Sequence, residues 1–164
     1  MSPLILRELA DHDLDALLGL YAELHPADAP LPARSEVEAI WQQMRATSGL
    51  QLLGGFVDEA LVVSCTLVIT PNLTRGGRPY ALIENVVTTA SQRRKGYAKA
   101  LLEHAKALAW QARCYKVMLM TSRQDVATRA FYESAGFDAH TKQAYYAAAP
   151  TQHDLNPSFP PARK

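Results

Sequence analysis

Between residues 80 and 121 the chain sets two apolar runs around a helical one, and this order constrains the fold more than any other feature. YALIENVVT (80–88) is strand-like and carries one acid, Glu84. From about Tyr97 to Ala112, the residues Ala98, Leu101, Leu102, Ala105, Leu108 and Ala109 fall on one helical face. YKVMLMT (115–121) is a continuous apolar run, the pattern of a strand covered on both faces. Strand, crossover helix and strand within one sheet imply parallel strands joined by a right-handed connection. The class is therefore α/β, or mixed α+β.

The flanking sequence fits one domain around that unit. LILREL (4–9) reads as a first strand, and Asp11 or Asp13 can cap a helix carrying Leu14, Leu17, Leu18 and Tyr21 at helical spacing. The helix ends near His25, where HPADAPLP brings three prolines. Ser35 and Glu38 have the spacing of a capping box, opening a second helix that runs to about Thr47. Residues 51–57 and 60–70 form a hairpin pattern about Asp58 and Glu59. Residues 126–135 read as a short helix closed by Gly136, and FDAHTKQAYYA as a last strand or two. Trp41 and Trp110 read as core or half-core anchors on their helices. The domain is expected to span residues 1–149; residues 150–164, with four prolines, are expected to form a poorly ordered tail.

Net charge excludes some functions. At +1 over 164 residues, the chain is not built to coat nucleic acid or an anionic membrane. Yet three cations stand together at Arg93, Arg94 and Lys95, directly before Gly96 and the helix start. A helix N-terminus offers unpaired N–H groups and the positive end of the dipole. Gly96 would let a bulky anion approach the backbone, with the cations adding charge-assisted contacts. A solvated turn is the plain alternative, and the position before Gly96 argues against it. Neither GxGxxG nor GxxxxGK[ST] is present. Cys65 and Cys114 lack metal-ligand spacing and read as buried reduced thiols, which suits a cytoplasmic protein. The N-terminal stretch, broken early by Arg7 and Glu8, reads as neither a signal peptide nor a membrane span. No metal site is expected; His25, His104 and His140 form no ligand constellation.

Arg93-Arg94-Lys95-Gly96-Tyr97-Ala98 resembles the [Arg/Gln]-x-x-Gly-x-[Gly/Ala] signature of the GNAT N-acetyltransferase superfamily. AFYESAGF (130–137) is similar to that family's later helix. The resemblance covers roughly residues 4–146 and is strongest over 80–137. It implies a central mixed sheet of about six or seven strands flanked by about four helices. It also implies acetyl-CoA as co-substrate, its pyrophosphate held by the loop amides. Val86, Val87 and Thr88 on the strand, and Arg93, Arg94, Lys95, Gly96, Tyr97 and Ala98 in the loop, become the expected acetyl-CoA contacts. IENVVT and CYKVML further resemble the glucosamine-6-phosphate N-acetyltransferase branch. The chain departs from that branch at Arg113, at Asn85 where the branch has an acid, and at Met120-Thr121 at the strand end.

Glu84 is the expected general base, the alternative being a salt bridge with Arg75 or Arg78. By the resemblance, Tyr132 faces the departing thiolate and protonates it; Phe131, about 100° away on the helix, is the core aromatic. The N–H of Val86 would hold the developing oxyanion. The expected activity is direct acetyl transfer to a primary amine of a small molecule in a ternary complex, with no acyl-enzyme. Acetylation of a protein N-terminus or lysine, and an inactive acyl-CoA-binding module, are the alternatives. A homodimer through the late strands is expected.

Overall fold

The computed structural model describes residues 2–149. Its elements run β1 (Ile5–Glu8), α1 (Leu14–Leu24), α2 (Arg34–Ala46), β2 (Leu50–Val57), β3 (Ala60–Thr70), a helical turn α3 (Thr74–Gly77), β4 (Tyr80–Thr88), α4 (Tyr97–Gln111), β5 (Val117–Leu119) and α5 (Val126–Ser134). The sheet order is β1-β2-β3-β4-β5, antiparallel up to β4 and parallel between β4 and β5. The crossover expected from residues 80–121 is the β4–α4–β5 unit, and the class is mixed α+β.

Alternation along the strands builds two apolar layers. On one face Leu52 and Phe56 of β2 meet Leu14 and Leu17 of α1 and Val37 and Trp41 of α2. On the other, Leu53, Val63, Leu67 and Ile83 pack with Leu101, Leu102, Ala105 and Ala109 of α4. The β2–β3 hairpin turns on Asp58 and Glu59, both left-handed at φ 48° and 65°. Two left-handed residues are what a type I′ turn requires to match strand twist.

Four local expectations are corrected. The capping box is absent: α2 is capped at Ala33, and Glu38 accepts from Arg34 Nε at 2.7 Å instead. Asp13 does begin α1, but its carboxylate turns back to the N–H of Ala10 and to Arg7. The two tryptophans fall within the reading given them, Trp41 buried in the core and Trp110 half exposed. Among the described residues the sheet has five strands, because FDAHTKQAYYA forms none. Asp138 there accepts from the N–H of His140 and the hydroxyl of Thr141, local bonds that give the backbone an alternative to a ladder. Among the described residues β5 is thus an edge strand, and its side chains are half-buried, not covered on both faces. The tail expected over residues 150–164 lies outside the described residues. No described helix is long and apolar enough to cross a membrane.

Candidate active site

The site begins where β4 leaves its partners. Against β3, Thr66 stands opposite Glu84 and Ser64 opposite Val87, so Cys65 faces the two residues Asn85 and Val86. Asn85 absorbs the mismatch with a left-handed φ of 53°, a conformation that asparagine tolerates better than most residues. Such a bulge kinks a strand and takes a residue out of the ladder. On its other side β4 pairs with β5 only as far as Ile83↔Leu119. Beyond that pair, where β5 ends, β4 runs on to Thr88 without a partner on this side among the described residues, and a gap opens beside it.

A cleft of about 740 Å³ occupies this gap. Glu84, Val86, Val87, Thr88, Arg93, Arg94, Gly96, Tyr97 and Ala98 line it from β4 and the start of α4, and Tyr132 from α5. Of the residues expected at the site, Lys95 alone does not line it; its ammonium donates to Gln92 Oε1 at 2.7 Å. Val87 contributes mainly backbone, because its side chain is buried. A second depression of about 480 Å³ lies between α1 and α2. Its Asp11, Arg34 and Glu38 already bond to Arg45, Gln42, Asp15 and one another, so it presents few free groups.

The loop before α4 suits an anion. Gly96 caps the helix at φ 83°, and a Cβ built there would meet no heavy atom within 4 Å. Ala100 N–H donates to Gly96 O at 3.0 Å, closing the first helical bond, so the N–H groups just ahead of Ala100 have no acceptor within the helix. The three cations divide their work. Arg93 donates through Nε to Thr88 O at 3.1 Å, and Lys95 is held by Gln92. Arg94, left-handed at φ 62°, makes no side-chain hydrogen bond or ion pair among the described residues. The open cap, the unpaired amides and Arg94 together fit a pyrophosphate.

Glu84 is half-buried and makes no ion pair or side-chain hydrogen bond among the described residues. The alternative bridge is therefore not formed: Arg78 donates to the carbonyls of Arg113 and Cys114, and Arg75 lies over the Tyr115 ring. Tyr132 packs its ring against Phe131 at 4.9 Å and edge-on to Phe137 at 6.3 Å. Phe131 is half-buried against the α4 core, as Tyr132 is, and not the fully buried core aromatic expected. Burial pushes the Tyr132 hydroxyl above its ordinary value, with Arg123 opposing. Burial raises the thiol of Cys65 to about 12, and that of Cys114 upward as well, so neither is a thiolate near neutrality. No group of three His, Cys, Asp or Glu residues among the described ones is placed to hold a metal.

The cleft also takes in residues that the linear pattern did not mark. Asn85 sets the bulge, His25 and Glu23 approach from the end of α1, and Met120, Thr121, Ser122 and Arg123 follow β5. Asn85 could have been read from its tolerance of left-handed backbone. Glu23 is brought in only by the fold.

Residues 14–137 match the Acetyltransferase (GNAT) family. A glucosamine 6-phosphate N-acetyltransferase of Trypanosoma brucei brucei is 35% identical over 140 residues, covering 84% of this chain and 91% of that protein. Among solved structures, an acetyltransferase from Agrobacterium tumefaciens str. C58 superposes with a TM-score of 0.84 at 43% identity, covering 88% of this chain and 99% of that one. A Trypanosoma brucei acetyltransferase superposes with a TM-score of 0.74 at 32% identity, over 89% of this chain and all of the other, 100%.

Proposed function

The chain belongs to the GNAT acetyltransferase family and is an acyltransferase, and on that premise we propose that it moves acetyl from acetyl-CoA to a primary amine of a small molecule. The observation that carries this reading is that Glu84 and Tyr132 line one cleft with the open N-terminus of α4. The unpaired amides ahead of Ala100, with Arg94, would hold the pyrophosphate, and Gly96 leaves room for it.

The transfer is direct, in a ternary complex. Glu84, without a cationic partner of its own, takes a proton from the incoming ammonium, directly or through water. The freed nitrogen bonds to the acetyl carbonyl carbon as the carbon–sulfur bond breaks. Val86, out of register at the bulge, turns its N–H to the oxyanion that develops. Tyr132, kept protonated by burial, gives its proton to the departing thiolate, and the second proton that the nitrogen sheds as it becomes an amide returns to the Tyr132 oxygen through water. Products are the amide and CoA thiol. Holding both reactants in one cleft contributes much of the rate. The raised thiols of Cys65 and Cys114 support a route without an acyl-enzyme, and buried reduced thiols suit a cytoplasmic enzyme.

The relative's named substrate puts a phosphorylated amino sugar first among acceptors to try, and Arg123 supplies a cation in the cleft suited to a phosphate. Incubation with acetyl-CoA and a panel of amines, reading thiol release, tests the reading. Release that depends on a small amine supports it. Release only with peptides would make the chain a protein acetyltransferase, and CoA binding without turnover would make it an acyl-CoA-binding module. We further propose a homodimer; light scattering should then give twice the chain mass of 18.1 kDa, and a value equal to one chain would contradict it.

A further inference from the structure

Glu23, in the last turn of α1, is an acid in the cleft that the chemistry above does not use. Its carboxylate crosses to the junction between β4 and α4. Oε1 accepts from the Thr89 hydroxyl at 2.6 Å and Oε2 from the Ala90 N–H at 2.7 Å. Oε2 also lies 4.0 Å from Arg93 Nη2, while Arg93 Nε donates to Thr88 O at 3.1 Å. One side chain from α1 thus meets three consecutive parts of the segment that leads into Gly96.

We propose that Glu23 is a positioning residue for the acyl-donor loop, fixing residues 88–93 so that Arg94 and the free amides of α4 are presented in one arrangement. This rests on the reading that the loop holds the pyrophosphate of acetyl-CoA. An acid in a cleft could instead receive the substrate ammonium. Both oxygens of Glu23, however, already accept hydrogen bonds, and the bonds from Thr89 and Ala90 hold its carboxyl below the ordinary range. The segment needs such an anchor. Its only regular structure is the single 3₁₀ turn Ala90–Gln92, and its two left-handed residues, Arg94 and Gly96, need outside contacts to keep their places. Without Glu23 the loop must become ordered when the donor binds, and that ordering subtracts from affinity. The defect should therefore fall on the donor and not on the amine.

Calorimetric titration of CoA and steady-state kinetics on wild type, Glu23→Gln and Thr89→Val test this, with folding checked by circular dichroism. Glutamine keeps one accepting oxygen and replaces the other by an amide. Glu23→Gln should raise the CoA Kd and the acetyl-CoA KM about tenfold, and Thr89→Val should raise them less. The amine KM should not follow. Arg93→Met should cost less in the Glu23→Gln background than in wild type, because the two side chains anchor one segment. Unchanged CoA affinity in folded Glu23→Gln, a rise confined to the amine KM, or strict additivity with Arg93→Met would each overturn the proposal. Wild type failing to bind CoA would instead sink the acetyl-transfer reading, and this inference with it.

Discussion

Replacing Gly96 in two ways separates the cost of its backbone from its role in holding an anion. At φ 83° and ψ −1° an L-residue is strained by about 1–2 kcal/mol, partly offset by the smaller entropy of its unfolded chain. A Cβ at this position meets no heavy atom within 4 Å, so no clash adds to that figure. Gly96→Ala and Gly96→Glu should therefore lose similar stability, about 1 kcal/mol, or about 2–4 °C in melting temperature for a domain of this size. Their binding should differ. A glutamate carboxylate about 5 Å from a phosphate, at an effective dielectric constant of about 20–80, is repelled by about 1–3 kcal/mol. CoA should then bind Gly96→Glu about 5- to 150-fold more weakly than Gly96→Ala, the gap narrowing as salt is raised. Calorimetric titration with thermal melts of both variants supplies the numbers. Equal CoA affinity in two folded variants would refute the pyrophosphate cradle.

The remaining predictions concern the proton-handling groups and one structural ion pair. Glu84→Gln should lower kcat/KM by about 10²–10⁴ near neutral pH, with the deficit shrinking as alkaline buffer supplies free amine; a wild-type profile would remove Glu84 as the base. Tyr132→Phe should lose less, since a thiolate is a tolerable leaving group, and high pH should not rescue it. Because burial raises the Tyr132 hydroxyl, activity that depends on its proton should persist beyond pH ~10; equal alkaline rescue of both variants would show that it is not the acid. Asp13 is buried and bonds to Arg7 at 2.6 Å. Burial pushes the Asp13 carboxyl up, but the Arg7 and Ala10 hydrogen bonds outweigh it and leave the carboxyl below its ordinary 3.8. Its stabilisation is thus present above that value and lost as pH falls through the lower folded value. Asp13→Asn should cost about 1–3 kcal/mol at neutral pH in denaturant titrations and little at strongly acid pH; a gap independent of pH would contradict the assignment.

Periodicity made the β4–α4–β5 unit legible, because Leu101, Leu102, Ala105 and Ala109 repeat at helical spacing between two apolar runs. The cation loop was legible because Gly96 follows three cations at a helix start, where amides are left unpaired. The Asp58–Glu59 turn was legible as a polar break between two strand patterns. What remained hidden depended on partners far away in the chain. The bulge at Asn85 follows from pairing one residue of β3 with two of β4; asparagine's tolerance of left-handed backbone permits it, but only the partner strand places it. Glu23 reaches Ala90 across 67 residues. The division of roles among Arg93, Arg94 and Lys95 depends on which neighbours claim each side chain, and only the folded loop decides that. The expected late strand does not form: Tyr145 and Tyr146 are exposed, with no face to bury, and Asp138 ties the preceding backbone into local bonds.

The central claim is that acetyl passes from acetyl-CoA to an amine nitrogen held in this cleft. It is tested most directly by mixing the protein with acetyl-labelled acetyl-CoA and glucosamine 6-phosphate, alongside other small primary amines, and identifying the labelled product by mass spectrometry. The account predicts label on the nitrogen of at least one small amine, in step with CoA thiol release, and no labelled protein when the amine is omitted. Label that accumulates on the protein and then passes to the amine would contradict direct transfer, and label on no small amine would contradict the claim itself.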